Sequence, residues 1–265
     1  MFLPENVGAF ARNGNIPAVK AWLDGPGDPN AFTEETPGFT LLFAAATAGR
    51  VDVVRFLLDQ GADARVGTRD TGFPIISGVF SFTIFHDPSD GPEMPFSTLT
   101  NSEEAGLLRM VELLIARGAD VNAKGPAGET CFAIVLVLSG RVLSTNLRLR
   151  LVSMLLRAGA SLDNVHGALS AEDFMRREVA QHPGRVAADA SFAAARALIV
   201  EVRAAGSYRK WLRTPHRDVI RLRFLLERKR ATTSDPVLAF VFGLGDNGLF
   251  WRLLEYWPGR RGVVY

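Results

Sequence analysis

One cysteine in 265 residues rules out a disulfide framework. Cys131 lies inside the apolar run TCFAIVLVL with no cationic neighbour, so it reads as a buried thiol in a reducing compartment, not as a nucleophile. No apolar run approaches the ~18 residues of a membrane-spanning helix. The opening residues, MFLPENVGAFARNG, lack the basic segment and apolar core of a secretory leader. An intracellular and, by default, cytoplasmic location is the expectation. Net charge is only +2, which supplies no global field for nucleic acid or an anionic membrane. There are four histidines, His86, His166, His182 and His216, and none stands at ligand spacing from another His, Cys or carboxylate. The acidic run 86–93, HDPSDGPE, lacks the alternating oxygen donors of a calcium loop. Gly243, Gly245 and Gly248 follow no strand and so do not read as a dinucleotide loop. Neither a catalytic residue nor a metal nor a cofactor is therefore expected. What is abundant is apolar residues, at 48% of the chain against 22% charged, a composition that buries a core.

The residues that organise this apolar content lie at 40–63, TLLFAAATAGRVDVVRFLLDQGAD. The pattern predicts a helix over 41–48, a turn at Gly49 and a second helix over 51–60. Val53, Val54, Leu57 and Leu58 share one face of the second helix. Gly61 occupies the place of a left-handed C-cap. Two helices this short cannot bury their own apolar face, so the unit needs neighbours.

The neighbours are present. Gly61-Ala62-Asp63 recurs as Gly118-Ala119-Asp120 and as Gly159-Ala160-Ser161, with a weaker form at 25–30, and each follows a leucine-terminated helical run. The aspartates Asp28, Asp63, Asp120 and Asp163 are spaced 35, 57 and 43 residues apart. One period near 33 thus carries surpluses in the third and fourth repeats. Repeat one covers 4–30, with helices over 9–13 and 16–23, and residues 2–4 capping the end of the stack. Repeat three has a first helix over 75–85, a Pro- and Gly-rich insertion at about 86–104, and a second helix over 107–117. Repeat four has helices over 131–138 and 150–157, with the junction between them lengthened. Repeat five has a helix to about 180 capped by Ser170, a loop at QHPGRVAADAS, and a helix over 192–204.

The motif residues Gly38-Phe39-Thr40-Leu41-Leu42, Ala44-Ala45, Gly49, Val53-Val54, Leu57-Leu58, Gly61-Ala62-Asp63 and Gly118-Ala119-Asp120-Val121-Asn122 resemble the ankyrin-repeat pattern G-x-T-P-L-H-x-A-A-x-x-G-H-x-x-V-V-x-x-L-L-x-x-G-A-D-V-N. The proline and histidine of T-P-L-H are missing in every copy, as in divergent repeats. The resemblance spans 4–206 and is strongest in repeats two to four. It implies an all-α ankyrin-repeat solenoid of five helix-turn-helix repeats, closed by a helical cap. It also implies a non-enzymatic scaffold that binds other proteins through hairpin tips and the concave face. On that reading the partner-facing residues are Phe32, Glu34, Glu35 and Phe39 on the first tip, Arg65, Arg69, Asp70 and Phe73 on the second, Asp87, Asp90 and Glu93 on the insertion, and Lys124, Glu129 and His166 on the later tips.

The repeat pattern stops after Gly206, and 207–265 form a separate basic helical module. Its segment SYRKWLRTPHRDVIRLRFLLERKR has nine Lys and Arg against two acids, with a helix start expected at Thr214-Pro215. Arg217 and Arg221 lie off its apolar stripe and complete the candidate partner-binding set. Short helices are expected in SDPVLAFVFGL and NGLFWRLLEYW, with Trp211, Trp251, Tyr256 and Trp257 packing the cap. The module resembles one found in ankyrin proteins of unicellular algae and protists. Its basic charge and the acidic insertion either neutralise each other or dock partner surfaces of opposite sign. Two further roles remain open: a fixed subunit of a larger assembly, and a substrate adaptor for ubiquitin ligation.

Overall fold

Short apolar helices with one buried face can be satisfied by stacking, and stacking is what the chain does. The computed structural model describes residues 2–25, 27–34, 37–80, 99–138 and 143–228, with isolated positions between 232 and 240. Among them the chain is helical, with isolated bridges in place of strands. It divides into two compact units, Met1–Ala197 and Leu198–Tyr265.

In the first unit, α1 (Glu5–Arg12), α3 (Leu41–Thr47), α5 (Ile75–Gly78), α7 (Cys131–Val137) and α9 (Ala171–Gln181) pack in that order as an inner layer, each on the next. α2 (Ile16–Leu23) packs back on α1 and α4 (Val51–Asp59) on α3. α4, α6 (Asn101–Ala116) and α8 (Thr145–Arg157) form the outer layer. α3 and α7 touch packed neighbours nearly all round, so six of the seven residues in each are buried. The outer helix α4 buries only Val53, Val54, Leu57 and Leu58, the face that its periodicity marks.

The repeating turn chemistry is local. Gly61, Gly118 and Gly159 adopt φ of 91°, 88° and 96°, a left-handed conformation that a side chain disfavours. The next N–H then reaches back to the helix: Ala62 to the Leu57 carbonyl, Ala119 to Leu114 and Ala160 to Leu155, at 3.0, 2.9 and 2.9 Å. Asp28, Asp63 and Asp120 each accept the backbone N–H two residues on, at 2.8–2.9 Å. Thr40 and Thr130 cap α3 and α7 by accepting from Phe43 N and Ala133 N. The threonine cap therefore works without the proline and histidine that follow it in the family pattern.

Several boundaries differ from the expectation. α1 starts at Glu5, four residues earlier than expected, because Pro4 sits extended at its N-cap. α6 starts at Asn101, so 101–104 are its first turn and not part of the insertion. Thr100 accepts from Glu103 N, and the Glu103 carboxylate accepts from Thr100 N, a capping box. These bonds hold the Glu103 carboxyl below its ordinary range. α8 starts at Thr145 after its Ser144 cap, which absorbs part of the expected junction. The expected loop at 181–191 contains a short helix, α10 (Pro183–Ala187), with proline at its first turn. α5 ends at Gly78, with Val79 as its C-cap, and so is shorter than the helix expected over 75–85; residues 81–98, which include most of the insertion, lie outside the described residues.

One buried charge was not foreseen. The Arg148 side chain on α8 is fully buried. Its guanidinium donates to the Leu136 carbonyl at 2.7 Å, to the Leu138 carbonyl, and to Asp189 at 3.2 Å. Asp189 in turn accepts from Phe192 N, capping α11 (Ala190–Ala205), and from the Ser191 hydroxyl. The second unit takes up the end of α11 and continues through Gly206 into α12 (Tyr208–Glu227). α12 is capped by Ser207 and runs unbroken through Pro215, where a fresh helix start was expected. The segments 241–265, with Trp251, Tyr256 and Trp257, lie outside the described residues.

Candidate protein-interaction site

Each inner helix after α1 is preceded by a short hairpin, a finger. The first covers 31–40, where Phe32 bridges Thr40 and Thr33 N donates to the Phe39 carbonyl at 2.9 Å. The second covers 65–73, where Thr68 N donates to the Phe73 carbonyl at 3.0 Å. Thr33 and Thr68 repeat one device: each hydroxyl accepts the N–H of the phenylalanine that returns the chain, Phe39 or Phe73, at 2.9 Å. The third, 124–130, closes through Gly125 N on the Glu129 carbonyl, and the fourth, 165–169, through Val165 N on the Leu169 carbonyl.

Fingers are laced to their neighbours in pairs. Arg69 N and Asp70 N donate to the Gly38 and Pro37 carbonyls at 3.0 and 3.1 Å. The Arg69 guanidinium also donates to the Thr33 and Glu34 carbonyls at 3.1 and 3.2 Å while pairing with Asp70 at 2.8 Å. The Asp70 hydrogen bond raises the Arg69 pKa above its ordinary value. In the second pair, Thr130 N donates to the Val165 carbonyl, Gly167 N to Gly128, and Lys124 Nζ to Gly167, at 2.9, 2.8 and 2.9 Å. Behind the fingers, the Asn30 and Asn122 side chains bridge to the next repeat. Asn30 accepts from Asp63 N and donates to the Gly61 carbonyl, and Asn122 does the same with Ser161 N and the Gly159 carbonyl.

The expected site residues fall into four groups. Arg69 and Asp70 lie together on the first laced pair, with the Glu34 carbonyl under the guanidinium and exposed Arg65 3.7 Å from Asp63. Lys124, Glu129 and His166 lie together on the second pair, with Glu129 and His166 bridged by their backbones and the His166 ring stacked on Phe174 at 5.3 Å. Phe39 and Phe73 are not bare tips. They flank the buried ring of Phe43, at 5.3 and 6.4 Å, and are half-buried there, as is Phe32. Their stability role is thus plain: they seal the inner layer from below the fingers. The last group is divided. Glu35, Asp87, Asp90 and Glu93 lie outside the described residues, and Arg217 and Arg221 are on α12 in the second unit.

Sequence reasoning missed Thr33, Thr68, Asn30 and Asn122, which set the finger geometry. The asparagines were legible in principle, since each stands two residues after the loop aspartate. Beside the first finger a cleft of about 400 Å³ opens between Phe2, Pro4, Glu5, Thr33 and Phe39. Chemically the finger surface offers hydrogen-bonding and charged groups on a fixed backbone, above an aromatic floor. Cys131 is at the opposite extreme: it is fully buried, donates to the Val121 carbonyl at 3.3 Å, and is pushed up to about 12 by burial. It reads as core, as its sequence context indicated. Among the described residues no group of His, Cys, Asp and Glu has the geometry of a metal site, and no helix is long and apolar enough to cross a membrane.

Residues 37–70, from the first finger to the tip of the second, match the ankyrin-repeat family model. No curated protein matches the chain in a sequence search. Residues 37–70 are thus similar to an ankyrin repeat, and the flanking helices of the first unit repeat their turn chemistry. Ankyrin repeats are in general protein–protein interaction modules.

Proposed function

We propose that the first unit is a non-enzymatic scaffold that holds a protein partner on its fingers, with Arg65, Arg69–Asp70, Lys124, Glu129 and His166 as the polar contacts. The observation that carries this reading is the lacing of the fingers. Four groups on Arg69 and Asp70, two backbone N–H groups and the two arms of one guanidinium, are committed to fixing the first finger against the second. A hairpin that only joins two helices does not need such bonds. A hairpin that must meet a partner does, because ordering it on binding would subtract from affinity. The half-buried phenylalanines and the cleft at Phe2 and Phe39 supply apolar area beside those polar groups, the mixture that protein interfaces use. A place in a larger assembly and the acidic insertion as a second arm both belong to this reading as extensions.

The test compares two faces. Arg65→Glu with Lys124→Glu reverses two exposed finger charges, and Lys20→Glu changes the exposed outer face of α2. In size-exclusion chromatography of native extract, the finger pair should shift the protein out of its complex, and the α2 change should not. The reverse pattern would refute the finger reading.

A further inference from the structure

The second unit concentrates the positive charge of the chain: residues 198–265 hold 13 Lys and Arg against six Asp and Glu, while 1–197 hold 17 against 22. Its helix α12 arranges part of that charge with a period. Lys210, Arg213, Arg217, Arg221, Phe224 and Arg228 follow one another at intervals of three or four residues, so they occupy one face of the helix over about 27 Å. Lys210, Arg213, Arg221, Phe224 and Arg228 are exposed. The acids of the helix, Asp218 and Glu227, fall off that face by register. Among the described residues none of Lys210, Arg213, Arg221 and Arg228 is in an ion pair. Phe224, 46% exposed, sits within the cationic row with the Arg228 guanidinium 4.0 Å above its ring. Solvation alone does not require a row of one sign on one face, nor an exposed ring inside it.

We propose that this face of α12 is a second docking surface, which takes an acidic helix of a protein partner. That partner repeats Asp or Glu at the same three- and four-residue spacing and sets one apolar side chain against Phe224. Two helices laid side by side share the 5.4 Å pitch, so every turn of one can offer a carboxylate to a cation on the other. Arginines outnumber lysines four to one in the row, which suits bidentate capture of carboxylates. A duplex is the less suited polyanion. Its affinity comes from counterion release on phosphates, to which the ring of Phe224 adds nothing, and the chain's near-neutral total gives no long-range attraction. The surface is independent of the fingers and stands whether or not they bind.

The test uses the full chain and a fluorescent synthetic helix carrying Glu at the matching positions and one Leu to meet Phe224. The comparison ligands are the same peptide with Gln for Glu, a short DNA duplex, and phosphatidylserine vesicles. By fluorescence anisotropy at low salt the Glu peptide should bind about tenfold or more tightly than the Gln peptide, and lose that margin as salt rises. The double variant Arg213→Glu, Arg221→Glu should lose the binding about tenfold, with the melting curve unchanged, while Arg213→Lys, Arg221→Lys retains most of it. Arg65→Glu on the finger should leave peptide binding as it is. Equal binding of Glu and Gln peptides, indifference to the charge reversal, or tighter binding of duplex or vesicles would overturn the proposal.

Discussion

Arg148→Met should destabilise the protein by about 3–5 kcal/mol, more than an average core substitution. The magnitude follows from what the guanidinium satisfies. It is the donor for the Leu136 and Leu138 carbonyls at the end of α7, and each buried carbonyl left without a donor costs about 1–3 kcal/mol. It also faces Asp189, whose carboxylate would be left near a buried site with its cation gone. Methionine fills most of the volume, so little of the loss is cavity. Asp189→Ala should cost a comparable amount, since it removes the carboxylate that faces the buried Arg148 guanidinium and uncaps α11 at Phe192 N. The double variant should cost less than the sum, with a coupling of about 1–3 kcal/mol. Urea unfolding followed by circular dichroism measures all three, and for a chain this long the Arg148 change corresponds to roughly 6–20 °C in Tm. A loss below about 1 kcal/mol for Arg148→Met, or strict additivity with Asp189→Ala, would refute the claim that this network joins repeats four and five.

Asn122→Ala should cost about 1–2 kcal/mol, because it removes two bonds to the next repeat, at Ser161 N and the Gly159 carbonyl. Arg65 holds the equivalent place in repeat two, so Arg65→Asn should stabilise by about 1 kcal/mol by restoring the bridge, and a loss of stability in the same urea assay would contradict the equivalence. Leu57→Asp should unfold the first unit at room temperature, at a cost above about 4 kcal/mol, since Leu57 is fully buried and a carboxylate there has no partner. An unchanged melting curve would remove the repeat assignment. The Cys131 thiol, raised to about 12, should stay unlabelled by a thiol reagent at pH 8 and react only as urea unfolds the chain. Burial raises this pKa, so the associated stability is full below about pH 9 and declines as pH climbs toward 12; rapid native labelling would show that α7 is not core.

The elements that could be read from the sequence are those whose signal is local. The pair 41–48 and 51–60 formed within one residue at each end, because Thr40, Gly49 and Gly61 are cap and turn residues whose conformations barely depend on the rest of the chain. Ser170 capped α9 for the same reason. What escaped is relational. The Arg148 network joins groups 10 to 41 residues apart, and an arginine on an outer helix gives no sign of lying inward. α12 ran through Pro215 because Ser207 had already started it, and the seven helical residues before the proline outweigh one missing N–H. At the candidate site, the residues on the fingers were legible as a set because the repeat register places them. Their arrangement was not: Phe39 and Phe73 read as exposed anchors, yet Phe43, buried on α3, draws both rings beneath the fingers.

The claim that a partner is held on the fingers is tested most directly by amine crosslinking of the native protein followed by mass spectrometry. The chain has four lysines, and three of them mark separate faces: Lys20 the outer helix α2, Lys124 the third finger, and Lys210 the cationic face of α12. Crosslinks from Lys124 to a partner, with Lys20 unlinked, are the predicted result. Partner crosslinks through Lys20 with Lys124 unlinked would contradict it.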